Sequence, residues 1–323
     1  IAVKEIATSR ALNRAATLLL LLLLFAQLLC AATRLSATVD EGFHITSGHE
    51  YLRTGRLHLF DEHAPVAKAL FAWPLLLVPD LTPPDLAPGY ESGDQIAGDQ
   101  IASGLITVTQ QTTLAYRPIA RVIVAPRIAA TLLTVVVAAS VGRCAASLAG
   151  RMAGLLALAL LAFDPNIIAH GSLATTDMGA TAFSFWAIWA GARWVERPSG
   201  RRWWHAAFLL GAAQAAKLTA LLVYPVLGIV VLGAVLVRDG RARRRLLPGF
   251  VAMVAVSVIV LWAFYGFEVR TVAGVLGGAV PLPAASHIER WLRLRENLAY
   301  GRESFLLGQN GMHGWLLYFP VAA

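Results

Sequence analysis

The feature that most limits this chain is a recurring apolar run about as long as a helix needs to cross a bilayer, roughly 20 residues. The first run, residues 15–32, contains seven consecutive leucines from Leu18 to Leu24 and follows Lys4, Arg10 and Arg14. A cleaved leader has a shorter apolar region, so this run reads as a retained span. Others follow at 119–142, 152–163 (extending toward Ile168), 178–195, 206–237 and 247–265, with one more starting near Trp315. The 206–237 run is too long for one ordinary span and carries Lys217 near its middle, a costly place for a charge in lipid. Two short spans meeting at a turn near Lys217 are expected instead. Composition agrees: 57% of residues are apolar and only 14% charged, where a soluble domain has about a quarter charged. Disorder is excluded by these values, and a disulfide framework by there being two cysteines. The expected class is an all-α, polytopic integral membrane protein.

Charge placement gives an expected orientation. With a cytoplasmic N-terminus, the inside segments are 1–14, 142–151, 193–204 and 238–247. They hold 14 of the 27 Lys and Arg residues and only three acids, Glu5, Glu196 and Asp239. Short loops rich in Lys and Arg stay inside. Arg241, Arg243, Arg244 and Arg245 then read as topology determinants beside anionic lipid rather than as a nucleic-acid patch. Two long outer segments remain, 33–118 and 266–314, before the start of a further span at 315–323. Within the first, residues 64–77 are apolar but too short to span, and read as a helix lying in the interface. A tandem pentad, Gly93–Ala97 and Gly98–Ala102, is assigned no function. Cys30 and Cys144 fall at opposite membrane faces, too far apart to pair.

The out-of-place polar residues gather at the outer face. Asp40 and Glu41 follow the first span, and His63 and Lys68 open the interfacial stretch. Arg121 and Arg127 lie in the outer half of the second span. His170 and Asp177 flank a connection between spans, and Lys217 sits at the hairpin turn. Several have a simpler reading: Asp40-Glu41 as an acidic helix start, Arg127 as a snorkelling cation, His170 and Asp177 as caps. His44, His49 and His58 are read as surface residues, with no spacing for a structural zinc site. Carboxylates and cations together at an outer membrane face suit glycosyl transfer from a lipid-linked phosphosugar. The leaving phosphate needs Arg or Lys nearby, and the acceptor hydroxyl needs a carboxylate base. A transporter or flippase of lipid-linked or small anionic solutes is the alternative; it would hold its charges near the midplane, commonly in duplicated halves, and no internal repeat is visible here.

Val39-Asp40-Glu41-Gly42-Phe43-His44, Tyr51-Leu52-Arg53-Thr54-Gly55 and His63-Ala64-Pro65-Val66-Ala67-Lys68 together resemble the first outer loop of glycosyltransferase family 39. That family includes the protein O-mannosyltransferases and the lipid A aminoarabinose transferases. Further matches, in order, are Ala125-Pro126-Arg127-Ile128, the segment from His170 to Asp177, Ala216-Lys217-Leu218-Thr219 and the tail from Ser304 to Pro320. The resemblance implies a helical bundle of the GT-C type, with two long extracytoplasmic loops bearing interfacial helices. It implies a polyprenyl-phosphate donor, an inverting transfer of a mannose-like hexose, and a protein, lipid or glycan acceptor. By resemblance Asp40 is the general base and Glu41 its partner. Arg127 and Lys217 face the donor phosphate, His63 and Lys68 shape the donor pocket, and His170 and Asp177 are placed with the donor site. Ala64 stands where the family has the first proline of a His-Pro-Pro segment, and 84–118 has no counterpart. Family members carry further spans, so the chain is expected to be a truncated core. Metal dependence is left open: two adjacent carboxylates suit a divalent cation, but neighbouring side chains on a helix diverge by about 100°. A bacterial plasma membrane, with the site on its extracytoplasmic face, is the expected location.

Overall fold

The computed structural model describes residues 2–55, 63–78, 119–237, 240–301, 304–312, 314–316, 318 and 321. The tandem pentads and His58 lie outside the described residues. The chain divides into two units, Ile1–Gly266 and Phe267–Ala323.

The first unit is helical throughout its described residues. In chain order it comprises α1 (Ala2–Arg34), α2 (Val39–Thr54), α3 (Pro65–Ala72, continued by a 3-10 turn, Trp73–Leu77), α4 (Ile119–Ala162), α5 (Pro165–Gly171), α6 (Thr176–Glu196), α7 (Gly200–Ala216), a 3-10 turn (Leu218–Leu222), α8 (Val223–Val237) and α9 (Gly240–Phe264). Among the described residues four stretches are long and apolar enough to cross a membrane: Ala11–Arg34, Val122–Ala162, Leu218–Val237 and Arg244–Phe264. Their outward faces are apolar, with Leu19, Leu22, Leu156, Ile229 and Val251 all exposed. A water-soluble bundle would not leave such a surface bare.

Helix α4 is really two arms. Ala149 and Gly150 leave helical geometry, Gly150 with φ 86° and ψ 175°, a conformation that suits glycine alone. The chain then doubles back, for a Cβ on Gly154 would lie 2.7 Å from the carbonyl oxygen of Gly142 and from Ala146. The break falls between the two apolar runs at 119–142 and 152–163. Both arms pack on α1 through Leu24, Leu28, Ala138, Leu158 and Ala162. A second core joins α6, α7, α8 and α9 around Leu210, Leu227, Leu246 and Met253. The long 206–237 run also breaks: α7 ends at Ala216, and Lys217 is fully extended (φ −158°, ψ 143°) before the 3-10 turn.

The 64–77 stretch departs from a helix lying freely on lipid. Pro65, Val66, Ala67, Lys68, Phe71 and Ala72 are buried, because α3 lies against α2, α4, α6 and α7. Only its far end offers an apolar surface, at Trp73, Leu76 and Leu77. Two small residues permit this depth. A Cβ on Gly48 would stand 2.3 Å from the Lys68 carbonyl oxygen, and one on Gly179 2.6 Å from Ala67 Cβ.

The second unit holds two small antiparallel pairs, β1 (Val269–Thr271) with β2 (Pro281–Pro283) and β3 (Ser304–Leu306) with β4 (Gln309–Gly311), and one helix, α10 (Ala285–Tyr300). Arg270 ties β1 to α10 by a two-pronged bond to Glu289, at 2.8 and 2.6 Å.

Candidate functional site

The site is built on helix ends. Helix α2 starts after Thr38, which is extended, and Glu41 folds back so that the Thr38 N–H donates to its Oε2 at 2.9 Å. This is one half of a capping box. The neighbouring carboxylates then part company, since successive helical side chains diverge. Asp40 is exposed to solvent, whereas Glu41 is 1% exposed. The buried carboxylate meets Arg127 in a fork–fork pair, Nε to Oε1 and Nη2 to Oε2, both 2.7 Å. The remaining Arg127 N–H groups donate to the carbonyls of Ala32, Leu35 and Ser36 at 2.9, 2.7 and 2.8 Å. Ala32 lies in the last turn of α1 and Leu35 and Ser36 just beyond it, where helical oxygens lack partners and a cation is favoured. The Ala174 N–H adds a further bond to Glu41 Oε1 at 3.0 Å. Burial alone would raise the Glu41 pKa, but Arg127 and the two amides outweigh it and hold the carboxyl below the ordinary range. One ion pair thus joins the end of α1, the start of α2, the first arm of α4 and the turn before α6.

Sequence reasoning aimed Arg127 at a donor phosphate. Its five N–H donors are instead all engaged within the protein, and it is 1% exposed.

One turn along α2, on the face of Asp40, stands His44. It was read from sequence as a surface residue; here it is 5% exposed, because α3 covers it. Its ring meets His63 edge-on with centroids 4.8 Å apart. Lys68, 2% exposed, donates from Nζ to Ser47 Oγ at 3.1 Å. Burial first, then the charges of Lys68, His63 and Lys217, push the His44 pKa down to about 2. His44 is therefore a neutral imidazole among cations, and its buried Nδ1 has no hydrogen-bond partner among the described residues. His49, also read as a surface residue, is buried too, and burial lowers its pKa.

Lys217 reaches the same end of the bundle from the C-terminus of α7. Its Nζ lies 2.5 Å from Asp177 Oδ1, and the side chain stays 27% exposed. Asp177 begins α6, with His170 Nδ1 at 3.8 Å and the Thr175 hydroxyl donating at 3.4 Å. Burial works against the charge of Asp177, but Lys217, His170 and Thr175 prevail and keep its pKa below the usual value. Both placements suit the helix dipole, acid at an N-terminus and ammonium at a C-terminus.

The structure therefore brings His63, Lys68 and Lys217 together around His44, and His170, Asp177 and Lys217 into one chain of charge. Asp40 is exposed, one helical turn before His44 on α2. Sequence reasoning missed His44 and Ser47. The available signal was spacing, since His44 is four residues from Asp40 and shares its helix face. Among the described residues no three His, Cys, Asp or Glu side chains gather as a metal site.

Residues 116–278 match the family model described as dolichyl-phosphate-mannose-protein mannosyltransferase. No curated protein and no solved structure matches the chain. The matched segment includes Arg127, His170, Asp177 and Lys217, while α2 and α3 precede it. Half the chain is covered, the ordered motifs point to the same lineage, and the helical architecture suits it. The chain belongs to the dolichyl-phosphate-mannose-protein mannosyltransferase family.

Proposed function

We propose that this membrane mannosyltransferase-family protein transfers a mannose-like hexose from a polyprenyl-phosphate donor to an acceptor hydroxyl, with inversion and with Asp40 as general base. The observation that carries the reading is the split fate of the acidic pair: Glu41 is locked inside, while Asp40 is left exposed one turn from His44, which lies among Lys68, His63 and Lys217. In the transfer, Asp40 accepts the acceptor's hydroxyl proton as that oxygen attacks the anomeric carbon. The bond from that carbon to the phosphate oxygen breaks on the opposite face, and the polyprenyl phosphate leaves with both electrons. Lys217 and Lys68 stabilise the charge that gathers on the leaving phosphate. His44 stays neutral behind them, with His63 against its ring. His170 and Asp177 hold Lys217 in place. Glu41 and Arg127 are positioning residues that fix the start of α2, and hence Asp40. A protein hydroxyl is the acceptor class that the family's description favours. The site faces the extracytoplasmic side of a bacterial plasma membrane, and the N-terminus faces the cytoplasm, in keeping with the distribution of Lys and Arg.

The test is sugar transfer by the purified protein from a polyprenyl-phosphate hexose. Asp40→Asn is expected to reduce the rate by at least ~100-fold, the lower range for loss of a general base, with an unchanged melting temperature. Full activity in Asp40→Asn would overturn the assignment.

A further inference from the structure

The end of the bundle farthest from Lys217 carries a second basic feature that the transfer reaction leaves unused. Sixteen residues of α6 separate Asp177 from Arg193, about 24 Å at 1.5 Å per residue. Helix α7 runs back the other way, beginning at Arg201 and Arg202 and ending beside Lys217. Between these helices and the first arm of α4 lies a cavity of about 1180 Å³. Its lining combines apolar side chains, Val136, Trp186 and Phe208, with Arg193, Arg197, Arg201 and Arg202; Val136 and Phe208 are exposed.

Two properties set this cavity apart from a plain basic loop. The charge is almost unopposed: among the described residues the four arginines meet one carboxylate, Glu196, at 3.6 Å from Arg193. Guanidinium forks suit phosphate oxygens in pairs. The cavity also exceeds the roughly 300–1,000 Å³ that encloses a small molecule, and a bare phosphate would leave its apolar lining uncovered. Loop charge as a topology determinant explains the arginines, but not the apolar lining or the volume.

We infer that this groove binds an anionic phospholipid, with the phosphate on Arg197, Arg201 and Arg202. The acyl chain then lies along Val136, Trp186 and Phe208. Tryptophan and arginine are side chains that favour the headgroup level of a bilayer, and the inference stands apart from the sugar-transfer reading.

Native mass spectrometry of the purified full chain tests it, with phosphatidylglycerol, phosphatidylcholine or inorganic phosphate added and no sugar donor present. Phosphatidylglycerol is expected to be retained at least ~10-fold better than phosphatidylcholine, a modest ratio for charge recognition. The triple variant Arg197→Gln/Arg201→Gln/Arg202→Gln should lose that preference. Arg244→Gln/Arg245→Gln, a basic pair outside the cavity, should keep it. If the triple variant does not fold, Arg201→Gln alone should lower retention several-fold. Equal retention of both lipids, equal loss in the Arg244/Arg245 variant, unchanged retention in the Arg201 variant, or full displacement by inorganic phosphate would each overturn the inference.

Discussion

Asp40 and Glu41 are neighbours in the chain with opposite surroundings, and that contrast sets what each can do. A buried ion pair is weak evidence of net stability, yet removing one partner leaves an uncompensated charge that costs about 3–5 kcal/mol. Arg127→Met should therefore destabilise the protein by about that amount in chemical denaturation, and a loss under about 1 kcal/mol would refute the clamp. The double change Glu41→Leu/Arg127→Met should recover part of the loss. His44 gives a separate signature. Its folded pKa, about 2, lies far below the unfolded value near 6.5. Below pH ~6.5 the unfolded chain thus binds a proton that the folded chain refuses, and stability falls as pH drops. The limiting slope is about 1.4 kcal/mol per pH unit. Glu41, whose pKa is depressed, loses its contribution only as pH falls below its ordinary value of 4.5. Melting temperatures at about pH 7 and about pH 5.5 should thus differ less in His44→Asn than in the parent; an equal difference would contradict a buried neutral imidazole. The acidic pair was legible in the sequence because carboxylates after an apolar span stand out. The burial of His44 was not, since it depends on α3 arriving from twenty residues downstream.

At the scale of elements, close backbone contact sets the arrangement of the site. Gly48 of α2 admits the Lys68 carbonyl of α3, and Lys68 reaches back to Ser47 from that contact. Gly48→Ala must force the two helices apart, because the obstructing atom is backbone. A lower melting temperature together with weaker donor binding is expected; a parent-like melting temperature would show that α3 does not pack so deeply. The breaks at Ala149–Gly150 and Lys217 were readable from run length and from a charge in an apolar stretch. The enclosure of α3 was not, because an apolar segment with two prolines looks the same from sequence whether lipid or protein covers it.

Across the first unit the polar groups sort to two ends. Arg127 donates to carbonyls at and just past the end of α1, and Tyr51 of α2 donates to the Phe264 carbonyl at the end of α9. Lys217 and Asp177 belong to that same end. The arginines that the sequence assigned to inside loops gather elsewhere: Arg14, Arg143 and Arg151 line one cavity, and Arg193, Arg197, Arg201 and Arg202 another. The alternation of spans made this sorting legible, whereas the direction in which α2 and α3 fold over the bundle end was not encoded in any local pattern. Everything proposed for the transfer site requires Asp40 and the Lys217 turn to share one compartment, with Arg201 across the bilayer. The direct measurement is labelling of single cysteines at positions 40, 170 and 201 by a membrane-impermeant thiol reagent in intact cells, with Cys30 and Cys144 replaced by serine. Positions 40 and 170 should label from outside, and 201 only after permeabilisation. Labelling of 40 and 170 from opposite sides would contradict the account.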